Sequence, residues 1–374
     1  MLLFFTSLAI LIYSAFIFRL VMILRYHQRR DGNVRPASGA VASVSVVVAC
    51  RNEEKNITSL LRSITGQDYP GELTEIIIAD DNSSDGTVAA VNDFINKNIS
   101  SGTPEIKVIK NTSAGKKDAV ASGVKAASGE LILVTDADCR MDAGWASSYA
   151  SLYSLKRPDI MLGRVTSHGN GSFASSFDSY ESEALQGVTE AMALAGKPVM
   201  CNGANMAFRK DIYIRHQEEL HNNIPSGDDM FLLHAVKKAG GMIIWNSNEA
   251  CVVTTTVKNS FPDLLRQRAR WASKAVYYSD NETILTAIAV LAANVSFIII
   301  FACALFSYGF FAVLPAAVLI KASADRMLIR TVKNKQKEEI PLPRFILMDI
   351  IYPFYFISVF VLSFFPRMKQ FRKS

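Results

Sequence analysis

The sequence is poor in the residues that build disulfide frameworks and cysteine-based metal centres. Its 374 residues include only five cysteines and five histidines. The cysteine count is odd and no C-x-x-C pair occurs, so neither a disulfide scaffold nor a zinc knuckle is expected. The histidines show no H-x-x-x-H or H-E-x-x-H spacing. We therefore expect reduced thiols in a domain that faces the cytosol.

The chain also lacks an interleaved strip of basic and aromatic residues of the kind that tracks nucleic acid. Its net charge is +6, and its basic residues cluster at 25–30, 321–337 and 367–373, each beside an apolar stretch. Such clusters suit anionic lipid headgroups. The chain is 50% hydrophobic, more than one compact core usually needs. This composition predicts a soluble domain with membrane segments and no nucleic-acid partner.

An N-terminal membrane anchor is predicted over residues 1–24. This stretch contains one charge, Arg19, and is long enough to span a bilayer. Arg25, Arg29 and Arg30 follow it, which favours a signal anchor over a cleaved signal peptide and places the chain after it in the cytosol. Residues 25–42 are predicted to be a linker, because residues 31–42 are rich in Gly, Ala, Ser and Pro.

A second membrane region is predicted over residues 283–374, with two to three spans and a basic tail. Residues 284–320 are nearly all apolar, and the break at Ser307-Tyr308-Gly309 indicates a hairpin of two spans. A charged segment follows. Residues 345–365 are apolar around Pro353 and either cross or form a re-entrant or interfacial element, because a full crossing would place the basic tail outside. We expect a multi-pass protein of a bacterial inner membrane.

Residues 43–256 alternate between short apolar runs and helical patterns. The predicted strands are 43–50, 75–80, 106–109 and 131–135, and the predicted helices are 56–65, 87–96 and 117–127. This alternation predicts an α/β domain with a mostly parallel sheet. Ligands of such sheets bind beyond the carboxyl ends of the strands.

Two adjacent acids, Asp80 and Asp81, end the second predicted strand. A carboxylate there can accept hydrogen bonds from a base N–H and from ribose hydroxyls. The alternative is a turn with a helix cap, which accounts for Asp85 and Thr87 but not for the two acids at the strand end.

The fourth predicted strand runs into Asp136 and Asp138. Residues i and i+2 of an extended chain point to the same side, so both carboxylates can face one point. Two close carboxylates repel unless a cation or proton lies between them. Mg²⁺ or Mn²⁺ suits such oxygen ligands and would neutralise a departing nucleoside diphosphate. The alternative is a solvated turn.

Lys116 lies in a Gly115-Lys116-Lys117 segment. The segment is not a Walker loop, because the G-x-x-x-x-G-K-[ST] pattern is absent. Lys116 either meets a phosphate or a base, or is an exposed helix start.

Asp228 and Asp229 open a predicted helical run. One acid suffices for a helix N-terminus, and the second is a candidate general base for an acceptor hydroxyl. The alternative is that both acids favour the helix N-terminus electrostatically.

Gln267, Arg270 and Trp271 are spaced to share one helical face. Arg266 and Arg268 make this stretch strongly basic, and residues 257–282 are predicted to form amphipathic helices at the membrane surface. Such a helix can still present Arg270 to a pyrophosphate and Trp271 to a sugar or an acceptor.

Together these motifs resemble family 2 glycosyltransferases of the GT-A fold, a Rossmann-like α/β fold with a mostly parallel sheet. Ceramide glucosyltransferase, hyaluronan and chitin synthases and bacterial lipid glycosyltransferases belong to this family. The resemblance covers roughly residues 43–275. It depends on four motifs in the family's order: Asp80-Asp81, Asp136-x-Asp138, Gly227-Asp228-Asp229 and Gln267-x-x-Arg270-Trp271.

The resemblance implies a role for each residue of the site. The nucleoside-binding residues would be Ala49, Arg51, Glu53, Asp80, Asp81 and Lys116. Asp136 would lie near the ribose and diphosphate, and Asp138 would be the main metal ligand beside it. Asp229, next to Asp228, would be the catalytic base. The residues that close over the diphosphate and acceptor would be Gln267, Arg270 and Trp271.

Two further segments bear on the resemblance. Residues 201–205 resemble the family's acceptor-side loop. Ala121 departs from the family, in which many members have asparagine at this position after the Gly-Lys segment.

The reaction implied is a single displacement with inversion. A sugar would move from a nucleotide-sugar, by default a UDP-sugar, to a lipid or membrane-associated hydroxyl, with Mg²⁺ or Mn²⁺ as cofactor. A small processive polysaccharide synthase is the alternative. A sugar nucleotidyltransferase and a non-catalytic membrane partner are rivals from other classes, and the oligomeric state is left open.

Overall fold

The computed structural model describes residues 1–31, 42–98, 102–113, 115–168, 171–221, 224, 226–332 and 340–365. Contacts divide them into two compact units. The α/β unit contains the described residues of 42–167 and 200–256. The helical unit contains those of 1–31, 168–199 and 257–365.

Strands and helices alternate along the chain. The strands are β1 (Val44–Cys50), β2 (Thr74–Asp80), β3 (Glu105–Lys110), β4 (Leu131–Asp136), β5 (Arg140–Met141), β6 (Ile160–Leu162), β7 (Val165–His168), β8 (Met206–Arg209), β9 (Ile243–Trp245) and β10 (Val253–Thr256). The helices are α1 (Leu2–Asp31), α2 (Glu54–Thr65), α3 (Thr87–Asn98), α4 (Lys116–Ala126), α5 (Trp145–Lys156), α6 (Phe173–Leu194), α7 (Lys210–Arg215), α8 (Asp228–Lys238), α9 (Phe261–Ala272), α10 (Asn281–Ala304), α11 (Tyr308–Val332) and α12 (Leu342–Ser363).

The α/β unit is built on a seven-stranded sheet in the order β3-β2-β1-β4-β8-β6-β9. Strand β8 pairs antiparallel with both neighbours, and the other pairings are parallel. The register places Ala49 beside both Ala79 and Asp136. The ends of β1, β2 and β4 therefore meet at one edge of the sheet. A smaller sheet has the order β5-β10-β7.

The mostly parallel α/β fold predicted from the sequence is confirmed. The four predicted strands and three predicted helices are all present, with ends that shift by at most two residues. Strand β2 is buried along its whole length, as expected for a parallel strand with both faces covered. Short apolar runs that alternate with helical patterns were therefore sufficient to locate the first half of this sheet.

Helix α4 packs closely against β1 at Gly123. A Cβ atom at Gly123 would lie 2.4 Å from Cγ1 of Val47. Real Cβ atoms do not approach other carbons so closely, so the helix can take this position only because residue 123 has no side chain. Helix α4 carries Lys116 as its first residue.

Three helices of the helical unit are long and apolar enough to cross a membrane: Leu2–Arg30, Asn281–Ala304 and Leu342–Ser363. The predicted N-terminal and C-terminal membrane helices are thus supported by length and composition. Residues 345–365, for which the sequence left a re-entrant element open, lie largely in α12, one of these three. The second half of the predicted hairpin is not among them.

Helix α11 differs from the sequence prediction. It begins at Tyr308, after the predicted break, but runs on to Val332 through the start of the predicted charged segment. Lys321 and Asp325 are buried in it. Its apolar first half and ionic second half form one continuous helix, because the charges of the second half have partners inside the unit.

Two segments at the edges of the predicted domains also differ. Helix α1 runs on to Asp31, so the first seven residues of the predicted linker are helical. Helix α6 lies within the predicted 43–256 stretch, yet groups with the helical unit. Residues 32–41 of the linker and the basic tail lie outside the described residues.

A buried ionic cluster joins four helices of the helical unit. Lys321 Nζ lies 2.8 Å from Asp325 Oδ2 on α11 and 2.7 Å from Asp349 Oδ1 on α12. Tyr13 of α1 donates to Asp325 at 2.6 Å, and Tyr180 of α6 donates to Asp349 at 2.9 Å. Buried charges persist only when they are paired and hydrogen-bonded, so this cluster fixes the mutual arrangement of α1, α6, α11 and α12.

Candidate functional site

A lysine and three carboxylates meet at the carboxyl edge of the main sheet. Lys116, the first residue of α4, places Nζ 2.5 Å from Oδ1 of Asp136, the last residue of β4. Partial desolvation disfavours the charged form of Lys116, although its side chain is 46% exposed. The nearby carboxylates of Asp136, Asp228 and Asp229 outweigh this effect and raise the pKa of Lys116. The α/β unit thus brings four predicted site residues together.

Asp138 follows Asp136 in a turn rather than in a strand. Strand β4 ends at Asp136, whose carbonyl accepts the backbone N–H of Cys139 at 3.1 Å. The expected alternation of side chains along an extended strand therefore does not position Asp138. Its carboxylate is half-buried and accepts the hydroxyl of Thr256 at 3.4 Å. Within the described chain it is in no ion pair, so it keeps free acceptor capacity.

Two thiols near the acids, those of Cys50 and Cys139, are buried. Burial raises the pKa of Cys139 to about 12, and Asp136 and Asp138 add to the effect. Burial likewise raises the pKa of Cys50 to about 12, with Asp80 adding to it. Across the described residues, no group of three or more His, Cys, Asp or Glu could hold a metal ion.

Asp81 is buried and anchors the chain in front of α4. Its Oδ1 accepts the backbone N–H of Gly115 at 2.8 Å and the side-chain amide of Asn111 at 3.1 Å. Arg51 Nη1 lies 3.7 Å from its Oδ2. Asp81 therefore joins the loops after β1, β2 and β3, whichever ligand it also contacts.

Asp80 and its neighbours form the turn that was the alternative for this motif. Asp80 is buried and accepts the backbone N–H of Ser83 at 3.3 Å with each oxygen. Asp85 accepts the N–H of Thr87 at 3.0 Å and its hydroxyl at 2.5 Å, which confirms the capping role predicted for this pair. The turn does not exclude a role for Asp80 in the candidate site, because Asp80 lies at the edge of the sheet.

The loop after β1 places the remaining predicted nucleoside residues. Ala49 lies at the sheet edge beside Asp136. Glu53 is buried and accepts the amide of Asn56 at 2.8 Å. Asn52 adopts a positive φ of 55° and accepts the N–H of Ser84 at 2.8 Å. The loops after β1 and β2 are thereby cross-linked into one surface.

Asp229 is held by two backbone N–H groups. Its Oδ2 accepts from Gly203 at 3.0 Å and its Oδ1 accepts from Met230 at 2.8 Å. Gly203 belongs to the 201–205 loop, and a Cβ atom on it would lie 3.3 Å from Asp229 Oδ2. The segment that resembles an acceptor-side loop therefore contacts the candidate base.

Two asparagines support the site without having been predicted to do so individually. Asn111 follows β3 and ties it to Asp81. Asn205 is buried, accepts from Trp145 and Tyr149 at 2.9 Å each, and so fixes the end of the 201–205 loop. The only signal for Asn111 was its place directly after a strand at the edge where the acids gather.

Gln267, Arg270 and Trp271 lie on α9, within the helical unit. The predicted helical spacing of the three is confirmed. The predicted basic surface of this helix is only partly correct, because Arg268 is buried whereas the side chain of Arg266 is 48% exposed. Trp271 is 38% exposed.

Family comparisons agree with these motifs. The family described as "Glycosyl transferase family 2" matches residues 45–216, and "Glycosyl transferase family group 2" matches residues 131–364, more than half of the chain. The chain belongs to glycosyltransferase family 2. This confirms the resemblance and the enzyme class predicted from the sequence, and it weighs against a sugar nucleotidyltransferase.

Several proteins are similar to this glycosyltransferase. Glycosyltransferase AglE of Haloferax volcanii is 24% identical over 230 residues, covering 61% of this chain and 71% of AglE. Poly-beta-1,6-N-acetyl-D-glucosamine synthase of Staphylococcus epidermidis is 27% identical over 244 residues, covering 62% of this chain and 54% of the synthase. This chain therefore spans about half the length of that relative.

A solved structure confirms the GT-A fold. Mannosyltransferase PcManGT from Pyrobaculum calidifontis, solved with GDP-Man and Mn²⁺, superposes with a TM-score of 0.60 at 19% sequence identity. The superposition covers 89% of this chain and 100% of PcManGT.

Proposed function

We propose that this glycosyltransferase moves a sugar, with inversion, from a nucleotide-sugar to a hydroxyl of a lipid or other membrane-associated acceptor. UDP-sugars are the proposed donors. The observation that carries the proposal is the grouping of Lys116 with Asp136, Asp228 and Asp229 at the carboxyl edge of the sheet, where ligands of α/β sheets bind. It combines a cation for a diphosphate with carboxylates suited to a metal and to proton transfer.

The nucleoside end of the donor is assigned to the loops after β1 and β2. Ala49, Arg51, Glu53, Asp80 and Asp81 are the proposed contacts. Support comes from the cross-links that hold these loops as one surface and from the 3.7 Å separation of Arg51 and Asp81. A preformed surface loses little conformational freedom on binding.

A divalent cation, Mg²⁺ or Mn²⁺, fits Asp136 and Asp138. Both offer hard oxygen ligands, and Asp138 keeps free acceptor capacity. When bound, the cation supplies positive charge for the departing diphosphate. Lys116 adds a second positive charge at this position, and Asp136 is its partner in the absence of a phosphate.

Asp229 is the proposed base. It lies in the first turn of α8. Backbone N–H groups of Gly203 and Met230 fix its orientation. Asp229 takes the proton of the acceptor hydroxyl, and the acceptor oxygen attacks the anomeric carbon on the face opposite the diphosphate. Asp228 adds to the negative field around Lys116.

Helix α9 carries the proposed closing motif. Gln267, Arg270 and Trp271 close over the diphosphate and the acceptor, as in the family motif. Arg270 stabilises the charge that develops on the leaving diphosphate.

A membrane acceptor and a cytosolic catalytic side are proposed from the helical unit. Its three apolar helices could cross a membrane, and the last turn of α1 carries the basic residues Arg29 and Arg30. We place the enzyme in a bacterial inner membrane. Few spans favour the transfer of one sugar, or a few, over export of a polymer through the same chain.

A small processive polysaccharide synthase is the second candidate, favoured by the similarity to poly-beta-1,6-N-acetyl-D-glucosamine synthase. The purified full-length enzyme, with membranes and labelled UDP-GlcNAc, UDP-Glc or GDP-Man, distinguishes the two candidates. A small organic-extractable product supports the lipid acceptor, and a high-mass polymer supports the synthase. Omission of Mg²⁺ and Mn²⁺ tests the cofactor. No transfer from any donor contradicts both.

Replacement of the proposed base tests the mechanism. Asp229→Asn keeps the shape of the side chain but removes its capacity to accept a proton, so we expect kcat to fall by about 10²- to 10⁴-fold. Donor affinity, measured by titration calorimetry, stays close to that of the wild type. Asp93→Asn, at an exposed aspartate on α3, is the matched control. Near-normal turnover of Asp229→Asn would remove Asp229 from the role of base.

A further inference from the structure

Arg268 occupies an unusual position for an arginine on an amphipathic helix. It is 5% exposed, although it lies between the site residues Gln267 and Arg270 on α9. Its Nε lies 3.0 Å from Glu181 Oε2 and its Nη2 lies 2.7 Å from Asp178 Oδ1. Both acids belong to α6. A lipid-facing arginine would keep its guanidinium in the headgroup region, so Arg268 does not serve membrane attachment.

The two acids extend the ion pairs to other parts of the helical unit. Asp178 Oδ2 accepts the backbone N–H of Lys258 at 2.6 Å, just before α9 begins. Glu181 Oε2 also accepts the hydroxyl of Tyr355 on α12 at 3.1 Å. The start of α9, its middle and α12 are thereby tied to the same two carboxylates of α6.

Arg268 also contacts two side chains of the site motif directly. Its Nη1 donates to Gln267 Oε1 at 2.7 Å. Its guanidinium carbon lies 4.4 Å from the ring centroid of Trp271, a cation–π geometry. A planar guanidinium offers five N–H donors in a fixed fork, so one orientation of Arg268 fixes both neighbours at once.

A buried arginine with two buried carboxylates is unfavourable if its only role is to stabilise the fold. Each ion removed from water costs several kcal/mol, and an apolar group of similar volume often gives equal or greater stability. Burial raises the pKa of Glu181 even with Arg268 beside it, a sign of how strongly this pocket disfavours charge. An apolar residue in place of Arg268 could not orient the side chains of Gln267 and Trp271.

We infer that Arg268 is a positioning residue for glycosyl transfer. Held by Asp178 and Glu181, it sets the orientation of the Gln267 amide and of the Trp271 ring. The inference depends on the proposed function, because the roles of Gln267 and Trp271 in closing over the diphosphate and acceptor come from it.

The experiment compares two ways of removing Arg268 in the full-length enzyme. Arg268→Met leaves two buried acids unpaired and destabilises the fold. The compensated variant Arg268→Met, Asp178→Asn, Glu181→Gln removes all three charges together. We expect the compensated variant to keep the thermal midpoint of the wild type but to lower kcat by about 10- to 100-fold, as misplacement by about 1 Å does. Arg266→Met is the control, because the Arg266 guanidinium pairs with Asp263 at the surface of the same helix.

A kinetic cycle separates positioning from a general structural role. If Arg268 acts through Trp271, the compensated substitutions made in a Trp271→Ala background lower kcat by no more than about twofold further, because the two losses are coupled. The inference is overturned if the kcat losses of the compensated substitutions and of Trp271→Ala multiply in full. It is also overturned if the compensated variant has the kcat of the wild type. In both cases the proposed function stands. A wild-type enzyme without transfer from any donor overturns both.

Discussion

At the scale of single residues, two acids of the candidate site also organise the loops around it. Asp81 fixes the start of α4 through Gly115, and Asp229 fixes the 201–205 loop through Gly203. A substitution at either residue therefore changes loop geometry as well as chemistry. Conservative amide substitutions are the informative ones, because they keep the side-chain shape and can still accept a hydrogen bond.

Glu75 gives a residue-scale prediction about pH. It is buried in β2, with Lys107 Nζ at 2.8 Å from its Oε2 and the hydroxyls of Ser45 and Ser128 on its Oε1. Burial alone would raise its pKa. The lysine and the hydrogen bonds outweigh burial and lower the pKa of Glu75 from 4.5 to about 2.

A lowered carboxyl pKa stabilises the fold above pH 4.5, and this stabilisation is lost as the pH falls towards 2. We expect Glu75→Gln to reduce the free energy of unfolding by about 2 kcal/mol at pH 7, with the difference narrowing below about pH 4. Thermal melts of both proteins across this pH range measure it. Glu105→Gln removes an exposed partner of the same lysine and is the control, with an expected effect below about 1 kcal/mol. A difference that does not vary with pH would contradict the assignment.

A site residue could be predicted from the sequence only where its local pattern differed from that of an ordinary surface residue. Asp136, Asp138 and Asp229 were predictable because acids at strand ends and helix starts are conspicuous beside apolar runs. Arg268 was not, because an arginine in a basic amphipathic stretch has the same local pattern whether its guanidinium faces solvent or two buried acids. Its partners lie 87 and 90 residues away.

At the scale of elements, α4 determines where Lys116 can act. The helix rests on β1 through the contact of Gly123 with Val47. An alanine in a helix normally stabilises it by about 1 kcal/mol relative to glycine. Here the added methyl group would meet Val47 and force the helix away from the sheet.

We therefore expect Gly123→Ala to destabilise the protein, whereas replacement of an ordinary helical glycine by alanine stabilises it. Overpacking typically costs about 1–3 kcal/mol, which exceeds the gain in helix propensity. The thermal midpoint of the full-length protein should fall by several degrees, since about 1 kcal/mol corresponds to roughly 2–4 °C in a domain of this size. Lys125→Ala, exposed on the same helix, serves as control. An unchanged or higher midpoint for Gly123→Ala would show that β1 yields to the methyl group.

The strands and helices of the first half of the sheet were predictable because their apolar residues recur at simple spacings. Strands β1 to β4 are short apolar runs, and α2 to α4 follow them at regular spacing. The grouping of α6 with the helical unit was not predictable, because its inward face carries Asp178, Ser179 and Glu181, which resemble a solvated surface until their partners are known. The length of α11 was missed for the same reason.

At the scale of the whole molecule, the three apolar helices predict integral membrane association. We expect the protein to stay in the membrane pellet after sodium carbonate at alkaline pH and to be released only by detergent. A wash with about 1 M salt, which screens charges beyond about 3 Å, should not release it either. Release by salt would show that the basic clusters alone hold it, and release by carbonate would show that the helices do not insert.

The buried ionic cluster of the helical unit has a consequence for the timing of synthesis. Tyr13 of α1 and its partner Asp325 of α11 are 312 residues apart in the chain. At about 5–20 residues per second, the ribosome needs roughly 15–60 s to translate the sequence between them. The first helix is therefore synthesised long before its polar partner exists. The α/β unit emerges in that interval, and the helical unit is completed only when the last part of the chain arrives.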